Sequence, residues 1–211
     1  MRLGVFGGTF DPVHFGHLLL AERCREECRL DLVVFLPAGV PPHKQGQAIT
    51  PGAARAEMLE LAMTGQPCFR VDRRELSKVT PSFTVETLRE FRREQPQTEL
   101  VFLMGADSLA DFAQWREPQE ILDLAEVAVV GRLGSATADL GAYRKLWGDR
   151  RADRISQVQI PRIEFSSREI RARVAGQKSI RFMTPRAVEC YIEQHGLYRT
   201  STKSNVTTPE P

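Results

Sequence analysis

His14 and His17 stand three residues apart, directly behind the run Gly7-Gly8-Thr9-Phe10-Asp11-Pro12. At that spacing two imidazoles share one face of a helix. Gly7-Gly8 frees the backbone for positive φ or for close approach to a ligand, and Asp11-Pro12 is a turn signal. The chemistry open to this stretch is anion binding. A helix start behind a glycine turn points unpaired N–H groups and the positive dipole end outward, and the imidazoles add donors that can aim at phosphate. The competing reading is an ordinary strand-to-helix turn with two surface histidines.

A second such start lies far along the chain, at Phe165-Ser166-Ser167-Arg168-Glu169-Ile170-Arg171. Ser166 and Glu169 have capping-box spacing. Two hydroxyls, helix-start N–H groups and Arg168 with Arg171 again describe an anion site. Alone, this is a capped helix with exposed arginines. Beside the histidine turn, it makes two phosphate-ready helix starts in one chain, which suggests a polyphosphate ligand. His43-Lys44, behind the stiff Pro41-Pro42, either reaches an anion from its loop or sits in a solvated turn. The polar cluster Gly105-Ala106-Asp107-Ser108 closes an apolar run where a sheet-end crevice would hold ligand. Trp115, just beyond, is either core or a flat stacking platform.

These residues need a scaffold, and the hydrophobic pattern supplies one. Arg2–Phe6, Asp31–Leu36, Phe69–Asp72, Leu100–Met104, Glu126–Gly131 and Ser156–Ile160 read as strands. Several are continuous apolar runs, as expected of strands buried on both faces. Helices are expected between them, at about 13–29, 51–64, 85–94 and an outward-facing 139–148, with two more after Ser166 and Thr184-Pro185. The first carries the apolar stripe Leu18, Leu20, Ala21, Cys24 and Cys28, and the second the stripe Ala54, Met58, Leu61 and Ala62. Val188, Tyr191 and Ile192 dock the last. Strands alternating with helices predict an α/β fold: a Rossmann-like open, mostly parallel sheet with helices on both faces and a small C-terminal helical part at 165–198. Residues 1–198 form one domain in this reading, and 199–211 a disordered tail.

Composition narrows the partners. The 211 residues include 42% hydrophobic and 27% charged, ordinary for a globular domain, and the formal net charge is only +2. That balance gives no reason to expect nucleic acid. No apolar run approaches a membrane span, and the N-terminus enters a strand without a signal-peptide pattern, so a cytoplasmic protein is expected. The four cysteines have no zinc spacing and read as buried thiols.

The dinucleotide fingerprint Gly-x-Gly-x-x-Gly is absent, and Gly176-Gln177-Lys178-Ser179 only mimics a Walker loop. Hydride transfer and phosphate-loop hydrolysis both lose ground. Gly-Gly-Thr-Phe-Asp-Pro-Val-His-Phe-Gly-His resembles the signature of the nucleotidylyltransferases that carry a His-x-Gly-His motif. With Pro41-Pro42-His43-Lys44, Ser82-Phe83-Thr84, Gly105-Ala106-Asp107-Ser108, Trp115 and Phe165-Ser166-Ser167-x-x-Ile170-Arg171, the chain resembles the bacterial nicotinate-nucleotide adenylyltransferases from about Met1 to Tyr198. Phe165, Arg168 and Phe83 depart from the residues commonest in that family.

The resemblance implies transfer of AMP from ATP to nicotinate mononucleotide, giving deamido-NAD and pyrophosphate with Mg²⁺. It implies that Gly7, Gly8, Thr9 and Phe10 line ATP, that His14, His17 and Lys44 contact its phosphates, and that Ser166, Ser167 and Arg171 hold the outer phosphates. It places Phe83 and Thr84 at the pyridine carboxylate, Trp115 on the ring, and Gly105 with Asp107 near the ribose. The rival readings are the same chemistry on nicotinamide mononucleotide or phosphopantetheine, and a nucleotide sensor without catalysis.

Overall fold

The computed structural model describes residues 1–40, 49–78, 81–132, 140–161 and 164–199. His43-Lys44 and the tail from Thr200 lie outside them. Six strands form one sheet: β1 (Arg2–Gly8), β2 (Leu32–Pro37), β3 (Phe69–Val71), β4 (Glu99–Gly105), β5 (Glu126–Arg132) and β6 (Ile155–Ile160). Their order is β3-β2-β1-β4-β5-β6, and every pairing is parallel. The chain winds outward from β1 to β3, then returns to the centre at β4 and winds the other way. The reversal between β1 and β4 opens a crevice at the strands' C-terminal ends, where such sheets bind ligands.

Side-chain alternation splits the core into two layers. On β4, Val101 and Leu103 face one layer, while Leu100, Phe102 and Met104 face the other. The first layer takes α1 (Phe15–Glu27) and α2 (Gly52–Ala62), and with them α8 (Ser167–Ala175) and α9 (Arg186–Gln194), through Ala21, Cys24, Met58, Leu59, Ile170, Val188 and Ile192. The second takes α3 (Thr84–Glu94), α4 (Ala106–Leu109) and α5 (Pro118–Leu124), through Val85, Leu88, Phe91, Leu109, Ile121 and Leu122. Two further helices, α6 (Gly141–Trp147) and α7 (Asp149–Ala152), precede β6. None of the helices among the described residues is long and apolar enough to cross a membrane.

Three expectations are corrected. The second helix does not bury the stripe through Ala54 and Leu61. Leu61 is exposed, and Arg55, Ala56, Met58 and Leu59 face inward. The sequence pattern hid this because it counts arginine as solvent-facing. Gly7 and Gly8 finish β1 without positive φ, and the left-handed residue of the loop is Phe10, at φ 50°. The segment 141–147 is a helix, but Tyr143 and Trp147 pack on the second layer against Phe112, so it does not simply face outward.

Candidate active site

The loop from Thr9 to His14 leaves β1 at the crevice. Phe10 is only 2% exposed, and its ring packs on Phe6, Phe35 and the imidazole of His17, 5.1 Å away. A Cβ on Gly8 would come within 2.8 Å of that ring, so glycine there lets the aromatic fold back under its own strand. Phe10 therefore supports the histidines with its side chain, and offers a ligand only its backbone.

The loop's carbonyls are taken up by donors from distant elements. Arg55 donates to Thr9 O at 2.7 Å, Arg171 to Asp11 O at 2.6 Å, Ser167 to Pro12 O at 2.9 Å and Thr184 to Val13 O at 2.8 Å. An anion at this loop would otherwise meet partial negative charge at each of these oxygens. Arg55 does more. It is 1% exposed, and it also donates to Ala38 O at 2.7 Å and Thr50 O at 2.9 Å, joining the ends of β1, β2 and the start of α2. The Asp11 carboxyl, buried beside it, accepts from the Thr50 amide at 3.3 Å and the Tyr198 hydroxyl at 2.7 Å. Arg55 and Tyr198 escape sequence reasoning, because neither belongs to a motif that the charge pattern marks.

His14 caps α1 and His17 occupies its first turn. The rings stack with centroids 3.7 Å apart and planes 25° apart. His14 N–H donates to His17 Nδ1 at 3.3 Å, so in a neutral His17 the proton sits on Nε2 and that atom is a donor. His14 is 7% exposed, its Nδ1 has no partner, and burial pushes its pKa down to about 4. Near neutral pH His14 is therefore uncharged.

The second helix start is docked against the first. Besides the Ser167 and Arg171 bonds to the histidine loop, Ser166 Oγ accepts from the Glu169 amide at 3.1 Å, the expected cap. Arg168 is exposed, and Phe165 packs on the first core layer, which accounts for an aromatic at that position.

On the other side of β1 and β4 a cavity of about 570 Å³ is lined by Gly7, Gly8, Thr9, Phe83, Thr84 and Trp115, among others. Trp115 stands edge-on to Phe112 at 5.6 Å and Phe102 at 6.0 Å, which fixes its orientation. Phe83 caps α3, and Thr84 opens it. The Arg116 guanidinium lies over the Phe83 ring at 4.8 Å and pairs with Glu86 at 2.8 Å. Gly105 and Asp107 lie at the β4–α4 junction without lining the cavity. Ser108 and Asp111 line it instead. Glu75 and Thr87, which sequence reasoning passed over, also form its wall. Their one sequence signal is a Glu and a Thr flanking Ser82-Phe83-Thr84. Gly7, Gly8 and Thr9 join the halves, since they line the cavity and open the loop that ends at His14.

The cytidylyltransferase-like family model matches residues 5–173. A protein of Thermomicrobium roseum, named "probable nicotinate-nucleotide adenylyltransferase", is 47% identical over 94% of this chain and 92% of its own length. One of the same name from Thermus thermophilus is 43% identical over 94% of this chain and all of its own. The solved Plasmodium falciparum nicotinic acid mononucleotide adenylyltransferase, complexed with NaAD, superposes with a TM-score of 0.75 at 18% identity, covering 93% of this chain and 97% of that one. At that identity the likeness speaks for the fold. The family model and the full-length relatives together carry the assignment: the chain belongs to the nicotinate-nucleotide adenylyltransferases of the cytidylyltransferase-like family.

Proposed function

We propose that the protein transfers the adenylyl group of ATP to nicotinate mononucleotide, releasing pyrophosphate and forming deamido-NAD in NAD biosynthesis. The observation that carries this reading is the continuity of the site. A loop with its carbonyls tied back and two stacked histidines at its end runs directly into a cavity walled by Trp115 and the start of α3. One side suits a triphosphate, and the other a flat ring.

In this reading the nucleophile is an oxygen of the mononucleotide's phosphate. Its second pKa is about 6, so it is mostly dianionic near neutral pH and needs no general base. The oxygen forms a bond to the α-phosphorus of ATP as the α–β bridging bond breaks, and pyrophosphate leaves with that bond's electrons. Gly7, Gly8, Thr9 and the Phe10 backbone line the nucleotide. His17 donates from Nε2 to the phosphates, and His14 takes up a proton as they arrive. Arg171, already bound to Asp11 O through one nitrogen, has further donors for the outer phosphates, with Ser166, Ser167 and Lys44. Positioning and electrostatic stabilisation do the work.

On the acceptor side, Phe83 and Thr84 offer helix-start amides to the ring carboxylate, Trp115 stacks on the ring, and Gly105 with Asp107 lies toward the ribose. Among the described residues no cluster of three His, Cys, Asp or Glu could hold a metal. Mg²⁺ would enter with ATP as the MgATP substrate and help to neutralise charge on the leaving pyrophosphate. The cytoplasm fits such a substrate pair. Pyrophosphate release from ATP with nicotinate mononucleotide tests the reading. ATP binding without release would favour a sensor instead.

A further inference from the structure

One carboxyl group in the acceptor cavity plays no part in the mechanism above. Glu75 lies in the turn between β3 and α3, is 6% exposed, and lines the cavity with Ser82, Phe83 and Thr84. Thr87 Oγ1 donates to its Oε1 at 2.7 Å. The Ser82 hydroxyl, on the same wall, is buried without a hydrogen-bond partner. Among the described residues no cation pairs with Glu75.

The charged groups around it are engaged elsewhere. Lys78, in its own turn, pairs with Glu90 of α3 at 2.7 Å, and Arg74 pairs with Asp72 at 2.8 Å and Glu94 at 2.9 Å. Across the cavity Arg116 pairs with Glu86, and Asp111 adds a further carboxylate to the wall. A buried carboxyl in such a cavity, with no ion pair among the described residues, is a candidate for function.

We propose that Glu75 sets the choice between acid and amide acceptors: protonated, it tolerates or donates to the ring carboxylate, and ionised, it repels the carboxylate and accepts from a carboxamide. The proposal rests on reading this cavity as the acceptor pocket. Burial raises the Glu75 pKa, against smaller lowering effects from the Thr87 and Ser82 hydroxyls and Lys78, while Glu90 raises it further. The proton is therefore retained above the usual carboxylate range and lost as pH rises.

The test is the ratio of kcat/KM for nicotinate mononucleotide to that for nicotinamide mononucleotide, measured across pH with saturating MgATP. Both acceptors carry the same phosphate, so its titration, and that of every group acting on ATP, cancels in the ratio. The ratio should fall at least about tenfold as pH rises through the Glu75 titration, because an ionised carboxyl facing the ring carboxylate repels it. Glu75→Gln should make it independent of pH. Thr87→Val removes a donor that favours the ionised form, so it should move the midpoint to higher pH and serves if Glu75→Gln fails to fold. A flat wild-type ratio in active enzyme, or an unchanged slope in Glu75→Gln, overturns the proposal alone. No turnover with either acceptor overturns the functional reading and the proposal with it.

Discussion

Replacing Arg55 with methionine should be among the most damaging changes available outside the phosphate-facing residues. The guanidinium binds Thr9 O and Ala38 O at 2.7 Å and Thr50 O at 2.9 Å, in a site that is 1% exposed. Methionine keeps most of the volume but none of the donors. Each orphaned buried acceptor costs about 1–3 kcal/mol. Against that, a large part of the cost of burying the charge is recovered. The net loss should be about 3–5 kcal/mol, a large part of the roughly 5–15 kcal/mol that a folded domain possesses. At a urea slope of about 3 kcal/mol per M, this moves the unfolding midpoint down by about 1–2 M.

Circular dichroism in urea measures that midpoint. Lysine should fall in between, because its ammonium cannot reproduce a planar fork with separated donors. Thr9 and Ala38 both line the cavity. The folded fraction of Arg55→Lys should therefore also lose about tenfold or more in kcat/KM, since small misplacements at a reacting site are expensive. An Arg55→Met midpoint equal to that of the wild type would mean that the three carbonyl bonds of Arg55 do not stabilise the fold.

His17→Ala should lower kcat by at least about 100-fold, the scale for removing one stabilising donor, and near-normal turnover would remove His17 from the chemistry. The His14 pKa is lowered from about 6.5 to about 4, so the folded state binds this proton less readily than the unfolded chain. The resulting stability is present above pH 6.5 and lost as pH falls toward 4, a change of about 3 kcal/mol, and His14→Gln should flatten that part of a thermal-unfolding pH profile. Tyr198→Phe should cost about 1–2 kcal/mol by removing the phenol bond to Asp11, read as a lower Tm with unchanged secondary structure.

The histidine loop was legible because glycine, a turn dipeptide and two imidazoles sit within a dozen residues, each with a local reason to be there. The strands were legible as apolar runs, though their ends differ by one or two residues from the expectation. The tertiary ties were not. Nothing in Arg55's neighbourhood says that it will be buried, because its partners are backbone carbonyls from three segments. Glu75 reads as one more charge in Asp72-Arg73-Arg74-Glu75, and only the fold turns it into the cavity. Phe10 is expected to line ATP, and the packing of its ring on Phe6, Phe35 and His17 leaves its backbone for that part.

In the proposed reaction a phosphate-binding loop and an aromatic acceptor cavity act together on ATP and a pyridine mononucleotide. Pyrophosphate release from MgATP, followed in parallel with nicotinate and nicotinamide mononucleotides near neutral pH, tests it most directly. Release should depend on an acceptor and be faster with the acid. ATP binding without release, or a preference for the amide, would contradict the proposed reaction.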